Sequence, residues 1–357
     1  RRSTKWIFLG ALILLLGYVL AWPIPVDPAA WNPPPAPDLS SGRFQENTAL
    51  EAATITTTLP LGHGPEDVAV DSLGRVYAGL VEGQIVRYAQ ARPPEVLVNT
   101  GGRPLGLAWD SLGNLLIADA HKGLLSLSPE AELTVLSTQA DGLPFGFADD
   151  LDIAANGKVY FSDASHKFSV EDYKDDLLEH RPHGRLVVYD PATRQTSILM
   201  DSLFFANGIA VSPEQDFVLV VETGAYRIQR YWLTGPKAGT AEIFIENLPG
   251  FPDGVSADTS GVFWVAMANP RNPTLDAVLP YPFLRKIIKR LPEAVQPAPV
   301  RYGMVFGLNR DGEIVANLQD PIGRFAPVTS VEAVGDQLFL GSLSDTAWAV
   351  VGRPEGI

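Results

Sequence analysis

The sequence contains no cysteine and only three methionines and five histidines among its 357 residues. Disulfide bonds and thiol chemistry are therefore excluded, although the absence of cysteine does not identify the compartment. No pair of histidines has the spacing of a zinc motif. No P-loop, dinucleotide-binding fingerprint or nucleophile elbow is present. The formal net charge of −14 argues against nucleic acid as a partner.

A long apolar run occurs only near the N-terminus. Three basic residues within positions 1–5 precede 17 residues, Trp6 to Trp22, that carry no charge. This length is at the short end for a membrane span, and the basic residues predict a cytoplasmic N-terminus. The run lacks a small-x-small cleavage site before the prolines. We therefore expect residues 1–22 to be an uncleaved single-pass membrane anchor, with a cleaved signal peptide as the alternative.

The chain after this run divides into two parts. Residues 23–52 are rich in proline, which predicts a stiff extended spacer that holds the next domain away from the membrane. Residues 53–357 form the predicted folded domain, on the periplasmic or extracellular side. The β-branched stretch at 53–59 predicts a strand that completes the last repeat and closes a ring.

The folded domain is built from a repeated pattern. An apolar strand, a tight turn with glycine and a second strand span residues 64–79, and similar stretches occur at 104–116, 148–160, 206–218, 252–264 and, more weakly, 327–339. Six copies separated by roughly 40 to 75 residues are typical of a radial β-repeat. The sequence therefore predicts an all-β fold, a six-bladed β-propeller with an N-terminal transmembrane helix.

One position in the repeat predicts a metal site. First strands line the central channel, so residues at one register meet at one level. This register holds Glu66, Leu105, Asp149, Asn207, Asp253 and Val328. Each of the polar residues alone could be a turn former, but turns do not explain oxygen-bearing side chains in four blades. Three carboxylates facing each other repel unless a cation lies between them, and oxygen ligands without Cys or His favour calcium.

Two insertions predict lids above this register. Residues 164–184 and 269–300 each follow a second strand, so both emerge beside the start of the first strand. The basic amphipathic stretch 283–291 is predicted to cap the pocket or to lie on the outer leaflet. Asp119 and Asp163 should also face the mouth, with turn capping as an equal alternative. His121 follows at the same mouth and is a candidate general base.

Several motifs resemble a known group of proteins. Residues 64–67, 147–151, 205–209 and 251–254 resemble the blade openers of calcium-dependent six-bladed propellers, which include gluconolactonase/regucalcin, paraoxonase and strictosidine synthase. Residues 102–106, 118–124 and 247–253 are similar to the strictosidine synthase-like branch, which contains the adipocyte plasma membrane-associated protein. The resemblance covers about residues 55–350.

The resemblance implies specific ligands. Glu66, Asp149, Asn207 and Asp253 match the calcium positions of these propellers. This chain has Asp149 where the group usually has Asn, and Gly254 where it often has Asn, which should alter calcium affinity more than abolish binding. Asp67 and Asp150 resemble a second, structural calcium position of the paraoxonases.

The expected function is calcium-dependent hydrolysis of a small neutral lactone or aryl ester. Calcium would polarise the carbonyl, and Asp253 or His121 would activate water. One alternative is a tethered, non-catalytic binding module that calcium stabilises. The other is a strictosidine synthase-type enzyme that forms C–C bonds, which needs a carboxylic acid in the substrate pocket, and Glu332 lies near the expected position. The sequence sets neither the exact substrate nor the oligomeric state.

Overall fold

The computed structural model describes residues 2–354 and 356, and it forms six four-stranded antiparallel sheets. Blade one comprises β2 (Val68–Val70), β3 (Val76–Gly79), β4 (Gln84–Tyr88) and β5 (Glu95–Asn99). Blade two comprises β6 (Pro104–Trp109), β7 (Leu115–Asp119), β8 (Gly123–Leu127) and β9 (Leu133–Ser137). Blade three, after the short hairpin β10 (Gln139–Ala140) and β11 (Leu143–Pro144), comprises β12 (Ala148–Ile153), β13 (Val159–Asp163), β14 (Gly184–Asp190) and β15 (Gln195–Leu203).

The remaining blades follow the same order. Blade four comprises β16 (Ala206–Val211), β17 (Phe217–Glu222), β18 (Arg227–Trp232) and β19 (Ala241–Ile245). Blade five comprises β20 (Gly250–Ala257), β21 (Phe263–Pro270), β22 (Gly303–Leu308) and β23 (Ile314–Asp320). Blade six comprises β24 (Ser330–Val334), β25 (Gln337–Gly341), β26 (Ala347–Gly352) and the early strand β1 (Thr54–Thr57).

The blades close into a ring. The innermost strands β2, β6, β12, β16, β20 and β24 contact one another in this order, and β24 contacts β2. β1 pairs antiparallel with β26, with Ile55 opposite Ala349, so the early strand completes the last blade as predicted. The predicted all-β six-bladed propeller is therefore confirmed.

The hydrophobic core lies between neighbouring blades. Successive residues of a strand face opposite sides of its sheet. Val68 accordingly packs towards blade six, whereas Ala69 packs towards blade two. Six such clusters surround the channel, and a seventh lies under the lids. This packing holds the six first strands at fixed positions around one axis.

Within the described residues, four α-helices lie outside the sheets, besides short 3-10 turns. They are α1 (Arg2–Ala21), α2 (Tyr173–Glu179), α3 (Pro273–Val278) and α4 (Pro282–Arg290). The predicted anchor forms α1, yet none of the helices in the described part of the chain combines the length and the apolarity required to cross a bilayer. α2 belongs to the first insertion, and α3 and α4 belong to the second. Asn272 caps α3 by accepting hydrogen bonds from Thr274 N and Leu275 N.

The proline-rich segment lies along the propeller. We name residues 22–35 the strap. The Asp27 amide donates to Glu179 Oε2 over 2.7 Å, and the Trp31 amide donates to the Leu279 carbonyl over 3.1 Å. Arg271 Nη2 donates to the Pro34 carbonyl over 2.7 Å. The segment that we predicted to be a spacer therefore contacts both lid insertions.

Residues between the strap and β1 are also part of the packed body. Phe44 is buried among side chains of blades four and five, and Leu50 is buried between blades five and six. Asn47 Oδ1 accepts a hydrogen bond from the Gln319 amide over 3.0 Å. Hydrophobic packing thus begins before position 53, where we placed the domain boundary.

Candidate functional site

A local irregularity turns the predicted ligands towards the channel. In four blades the pairing of the first strand with the second shifts register across a pair of residues, namely 105–106, 149–150, 207–208 and 253–254. In blade one, Glu66 and Asp67 occupy the same place just before β2. Because β-bulges re-aim side chains, the first residue of each pair can reach the channel axis.

The structure brings the predicted metal residues together. Glu66, Asp149, Asn207 and Asp253 are each 4–7% exposed, and all four line one cavity of about 440 Å³. Leu105 lines the same cavity from blade two. Four oxygen-bearing side chains from blades one, three, four and five therefore form its floor.

In blade six, the residue at this level is Thr329 and not Val328. The Gly254 amide donates to the Thr329 carbonyl over 2.7 Å, and Thr329 Oγ1 donates to the Glu66 carbonyl over 2.8 Å. Thr329 lines the cavity, whereas Val328 is buried in the core between blades five and six. The sixth copy ends in a short hairpin turn that pairs Val334 with Gln337, which shifts the sequence register by one residue.

Glycine follows the floor residue in blades two, four and five because the next blade passes very close. A Cβ on Gly208 would lie 2.4 Å from the Asp253 carbonyl oxygen, and one on Gly254 would lie 2.7 Å from the Thr329 carbonyl oxygen. No side chain fits there without backbone movement. Gly254 therefore serves blade packing, so an additional ligand cannot be accommodated at this position.

Burial and like charge make the floor unfavourable for free carboxylates. Desolvation, followed by the charge of Asp67, raises the pKa of Glu66 to about 8. Desolvation and the charge of Glu66 raise the pKa of both Asp149 and Asp253 well above the usual range. A cation between these groups would favour their ionised forms.

Buried Arg103, which we did not predict as a site residue, offsets part of this charge. Its positive charge lowers the pKa of Glu66 and of Asp149. Its guanidinium is held near the Gly79, Pro104 and Leu343 carbonyls. The only sequence signal was its position immediately before Pro104 at the opening of blade two. Three ionised carboxylates and one divalent cation would together be negatively charged. The positive charge of Arg103 brings the net charge of such a floor closer to neutral.

The donor set fits calcium in chemistry. Carboxylate and amide oxygens are among the ligands that calcium prefers. Within residues 2–354 and 356, no group of three or more Asp, Glu, His or Cys side chains is positioned so that it could hold a metal ion. Binding would therefore require the carboxylates to turn towards one another, with the Asn207 amide oxygen completing the set.

The walls of the cavity are largely apolar and come from both insertions. Val170, Tyr173 and Leu177 contribute from the first insertion, and Leu275 and Ile288 contribute from the second. Phe147, Phe205 and Phe251 surround the floor. Both insertions therefore line the cavity above the floor, as predicted. They enclose a pocket that suits an apolar molecule with one polar group near the floor.

The structure places the other candidates elsewhere. His121 does not line the cavity, and its Nε2 lies 2.8 Å from Glu171 Oε1 at the protein surface. Asp119 accepts hydrogen bonds from the Arg103, His121 and Lys122 amides. Asp163 accepts hydrogen bonds from the Gly146 and Phe147 amides and pairs with Arg185. Their carboxylates cap loops, which is the structural alternative that we considered.

A second cavity lies on the far side of the floor. It has a volume of about 300 Å³, and its acidic lining is Glu66, Asp67, Asp150, Asp152 and Glu332. Asp67 accepts a hydrogen bond from the Leu107 amide over 2.9 Å, and Asp150 accepts one from the Ile209 amide over 2.8 Å. These two carboxylates thus join neighbouring blades. Glu332 is in this second cavity and not under the lids.

Comparisons with known proteins show the family of the chain. A family model described as strictosidine synthase matches residues 149–236, and one described as strictosidine synthase-like, N-terminal, matches residues 42–88. Protein STRICTOSIDINE SYNTHASE-LIKE 6 of Arabidopsis thaliana is 34% identical, covering 96% of this chain and 93% of its own. The adipocyte plasma membrane-associated protein of Bos taurus is 36% identical, covering 94% of this chain and 84% of its own.

Solved structures show the same fold at low sequence identity. A gluconolactonase from Xanthomonas campestris matches with a TM-score of 0.62 and 16% identity over 93% of this chain and 98% of its own. Regucalcin from Agrobacterium tumefaciens, described as a calcium-binding protein, matches with a TM-score of 0.61 and 17% identity over 85% of this chain and 94% of its own. Because relatives more than 30% identical match over most of its length, the chain belongs to the strictosidine synthase-like family of six-bladed β-propellers.

Proposed function

We propose that the protein is a calcium-dependent hydrolase of apolar lactones or aryl esters. The observation that supports this proposal is the position of three buried carboxylates and an amide at the floor of an apolar, lidded cavity. The phenylalanines around the floor and the largely apolar lids favour a hydrophobic substrate over a polyhydroxylated sugar lactone.

The residues of the chain have separate roles in this proposal. Glu66, Asp149, Asn207 and Asp253 would hold calcium, which when bound supplies a Lewis acid for a carbonyl oxygen. Asp253 is the candidate base for a water molecule, because its carboxyl group lies at the floor under the lids, where a bound cation would favour the ionised form that can accept a proton. The lids exclude bulk water and hold the apolar part of the substrate.

The position of Glu332 separates this proposal from C–C bond formation. A condensing enzyme needs its carboxylic acid beside the substrate. Glu332 instead lines the second cavity with Asp67 and Asp152, and it is absent from the walls under the lids. Glu332 is therefore not placed to act as that acid under the lids.

We also propose that α1 attaches the protein to a membrane, which is the second part of the proposed function. Consecutive apolar side chains of α1, such as Trp6, Ile7 and Phe8, are exposed around the helix. A helix that is apolar on all sides requires an apolar environment on all sides. Several relatives are named adipocyte plasma membrane-associated protein, which supports membrane association of this chain.

Hydrolysis is tested with the full chain in detergent. Aryl acetates and lactones of increasing chain length are assayed with calcium and with a chelator. Glu66→Gln and Asp253→Asn should each lower turnover by about 10²–10⁴-fold, the range typical of a lost acid–base or charge-stabilising group. Glu332→Gln is the matched control, because it changes a carboxyl group outside the lidded cavity. Equal turnover in chelator, or full activity of Glu66→Gln, would contradict the proposal.

A further inference from the structure

We infer that the lid face of the propeller lies directly on a lipid bilayer, with Tyr281, Phe283 and Leu284 touching the acyl chains beside α1. This inference rests on the proposed membrane attachment through α1, and it adds the orientation of the propeller. It does not depend on hydrolytic activity.

The end of α1 is fixed to the lids. Arg290, in the last turn of α4, donates from Nε to the Trp22 carbonyl over 2.7 Å and from Nη1 to the Val19 carbonyl over 3.2 Å. Arg290 is buried in this contact. The C-terminal end of α1 is therefore held against α4. If α1 lies in a bilayer, α4 lies next to that bilayer.

The strap fixes the orientation of α4 beside α1. Moving along the strap from Trp22, Asp27 is paired with Lys286, Ala29 accepts from Arg285, and Trp31 is bonded to Leu279. The strap thus runs antiparallel to α4. Trp31 also stacks on His180, with ring centroids 4.1 Å apart. These contacts prevent the lid face from turning away from α1 while the strap is in place.

The basic residues of α4 make contacts with other parts of the protein. Fully buried Arg285 donates to the Leu178 carbonyl over 2.7 Å. Lys289 pairs with Asp175 over 2.6 Å, and Lys286 pairs with Asp27 over 2.9 Å. The basic face therefore holds the strap and the first lid. It is not a free surface for anionic lipid head groups.

The outward surface at the start of α4 is apolar. Phe283 is 57% exposed and Leu284 is 42% exposed, and Tyr281 is exposed next to them. Trp22, whose carbonyl accepts from Arg290, is exposed beside the C-terminal end of α4. Because aromatic residues are favoured at membrane interfaces, this row continues the apolar surface of α1. Contact through apolar groups predicts binding to uncharged lipid that added salt does not weaken.

Because the sequence contains no cysteine, a single introduced cysteine can be labelled specifically. Four full-length single-cysteine variants, Phe283→Cys, Leu284→Cys, Leu73→Cys and Leu112→Cys, are labelled with an environment-sensitive fluorophore and mixed with phosphatidylcholine vesicles. Leu73 and Leu112 are 74% and 81% exposed and lie in first-to-second strand turns, at the end of the propeller opposite the lids. They are matched controls, since all four positions exchange an exposed apolar side chain.

The expected result is a blue-shifted, brighter emission at positions 283 and 284 on adding vesicles, with no change at 73 and 112. Flotation of the vesicles should carry the protein at low and at high salt. Flotation with all four labels still in water would overturn the orientation and leave attachment intact. Failure to float would overturn both attachment and orientation, while the hydrolase assay in detergent remains an independent result.

Discussion

At the scale of single residues, glycines beside the floor are as constrained as the donors. A Cβ on Gly208 would meet the Asp253 carbonyl oxygen at 2.4 Å, so an alanine must push blade five away. We expect Gly208→Ala to lower the free energy of unfolding by about 1–3 kcal/mol, as overpacking usually does. Denaturant unfolding measures the change.

The control for this prediction is Gly352→Ala. Gly352 is exposed at the end of β26, and an added Cβ there meets no atom within 4 Å. Its free energy of unfolding should change by less than about 0.5 kcal/mol. Equal stability of both variants would show that blades four and five do not approach as closely as the structure indicates.

Glu332 should make the stability depend on pH. Burial, followed by the charges of Asp67 and Asp152, raises its pKa from 4.5 to about 8. Between these values the folded state binds a proton that the unfolded state has released, so stability is full below pH 4.5 and falls as pH rises through 8. Glu332→Gln should reduce this fall by about 1–3 kcal/mol, given about 1.4 kcal/mol per pKa unit and a partly exposed side chain.

Denaturant unfolding between pH 5 and 8, in the presence of a chelator, measures this difference. Glu130→Gln is the control, because Glu130 is an exposed residue in a surface turn. That variant should keep the pH dependence of the original chain. An unchanged pH dependence in Glu332→Gln would instead mean that the carboxyl group is ionised in the folded protein at neutral pH.

At the scale of elements, adjacent residues of α4 provide a matched pair. Arg285 is fully buried and donates to carbonyls of Leu178, Glu179 and Ala29, whereas Lys286 pairs with the exposed Asp27. Arg285→Met should destabilise the lids by about 2–4 kcal/mol, because it leaves buried carbonyl groups without donors. Lys286→Met should cost less than about 1 kcal/mol, as is usual for exposed ion pairs.

Hydrogen exchange locates the effect. In Arg285→Met, the amides of Ala29 and Trp31, which donate to Glu179 and Leu279, should exchange faster. The amides of inner strands such as β16 should keep their protection. Faster exchange throughout the propeller would contradict the view that the strap and lids open as a separate unit.

At the scale of the whole molecule, repetition explains how much the sequence could predict. The six copies and the early strand determined the propeller and its closure through β1. The shared register also located Glu66, Asp149, Asn207 and Asp253 on one floor, because every blade places that register at the same level. These features depend on patterns along the chain, which sequence reasoning can detect.

The features that were missed depend on contacts between distant segments. The predicted register in blade six was wrong by one residue, Val328 in place of Thr329, because the hairpin turn after this strand is short. The role of Arg103 depends on burial beside Glu66. The strap was taken for a spacer because proline predicts an extended backbone in either case, while its hydrogen bonds are made to Glu179 and Leu279, at the ends of the remote helices α2 and α3.

The floor also predicts how calcium should act on the entire propeller. Its donors come from four separate blades, so an ion that binds only the folded ring stabilises all of them together. By mass action, calcium at about one hundred times its dissociation constant should add about 2.7 kcal/mol and raise the melting temperature. Glu66→Gln should lose most of this calcium-dependent rise, whereas Glu332→Gln should retain it. Scanning calorimetry with calcium and with a chelator measures the effect. A calcium-dependent rise that survives in Glu66→Gln would place the ion away from this floor.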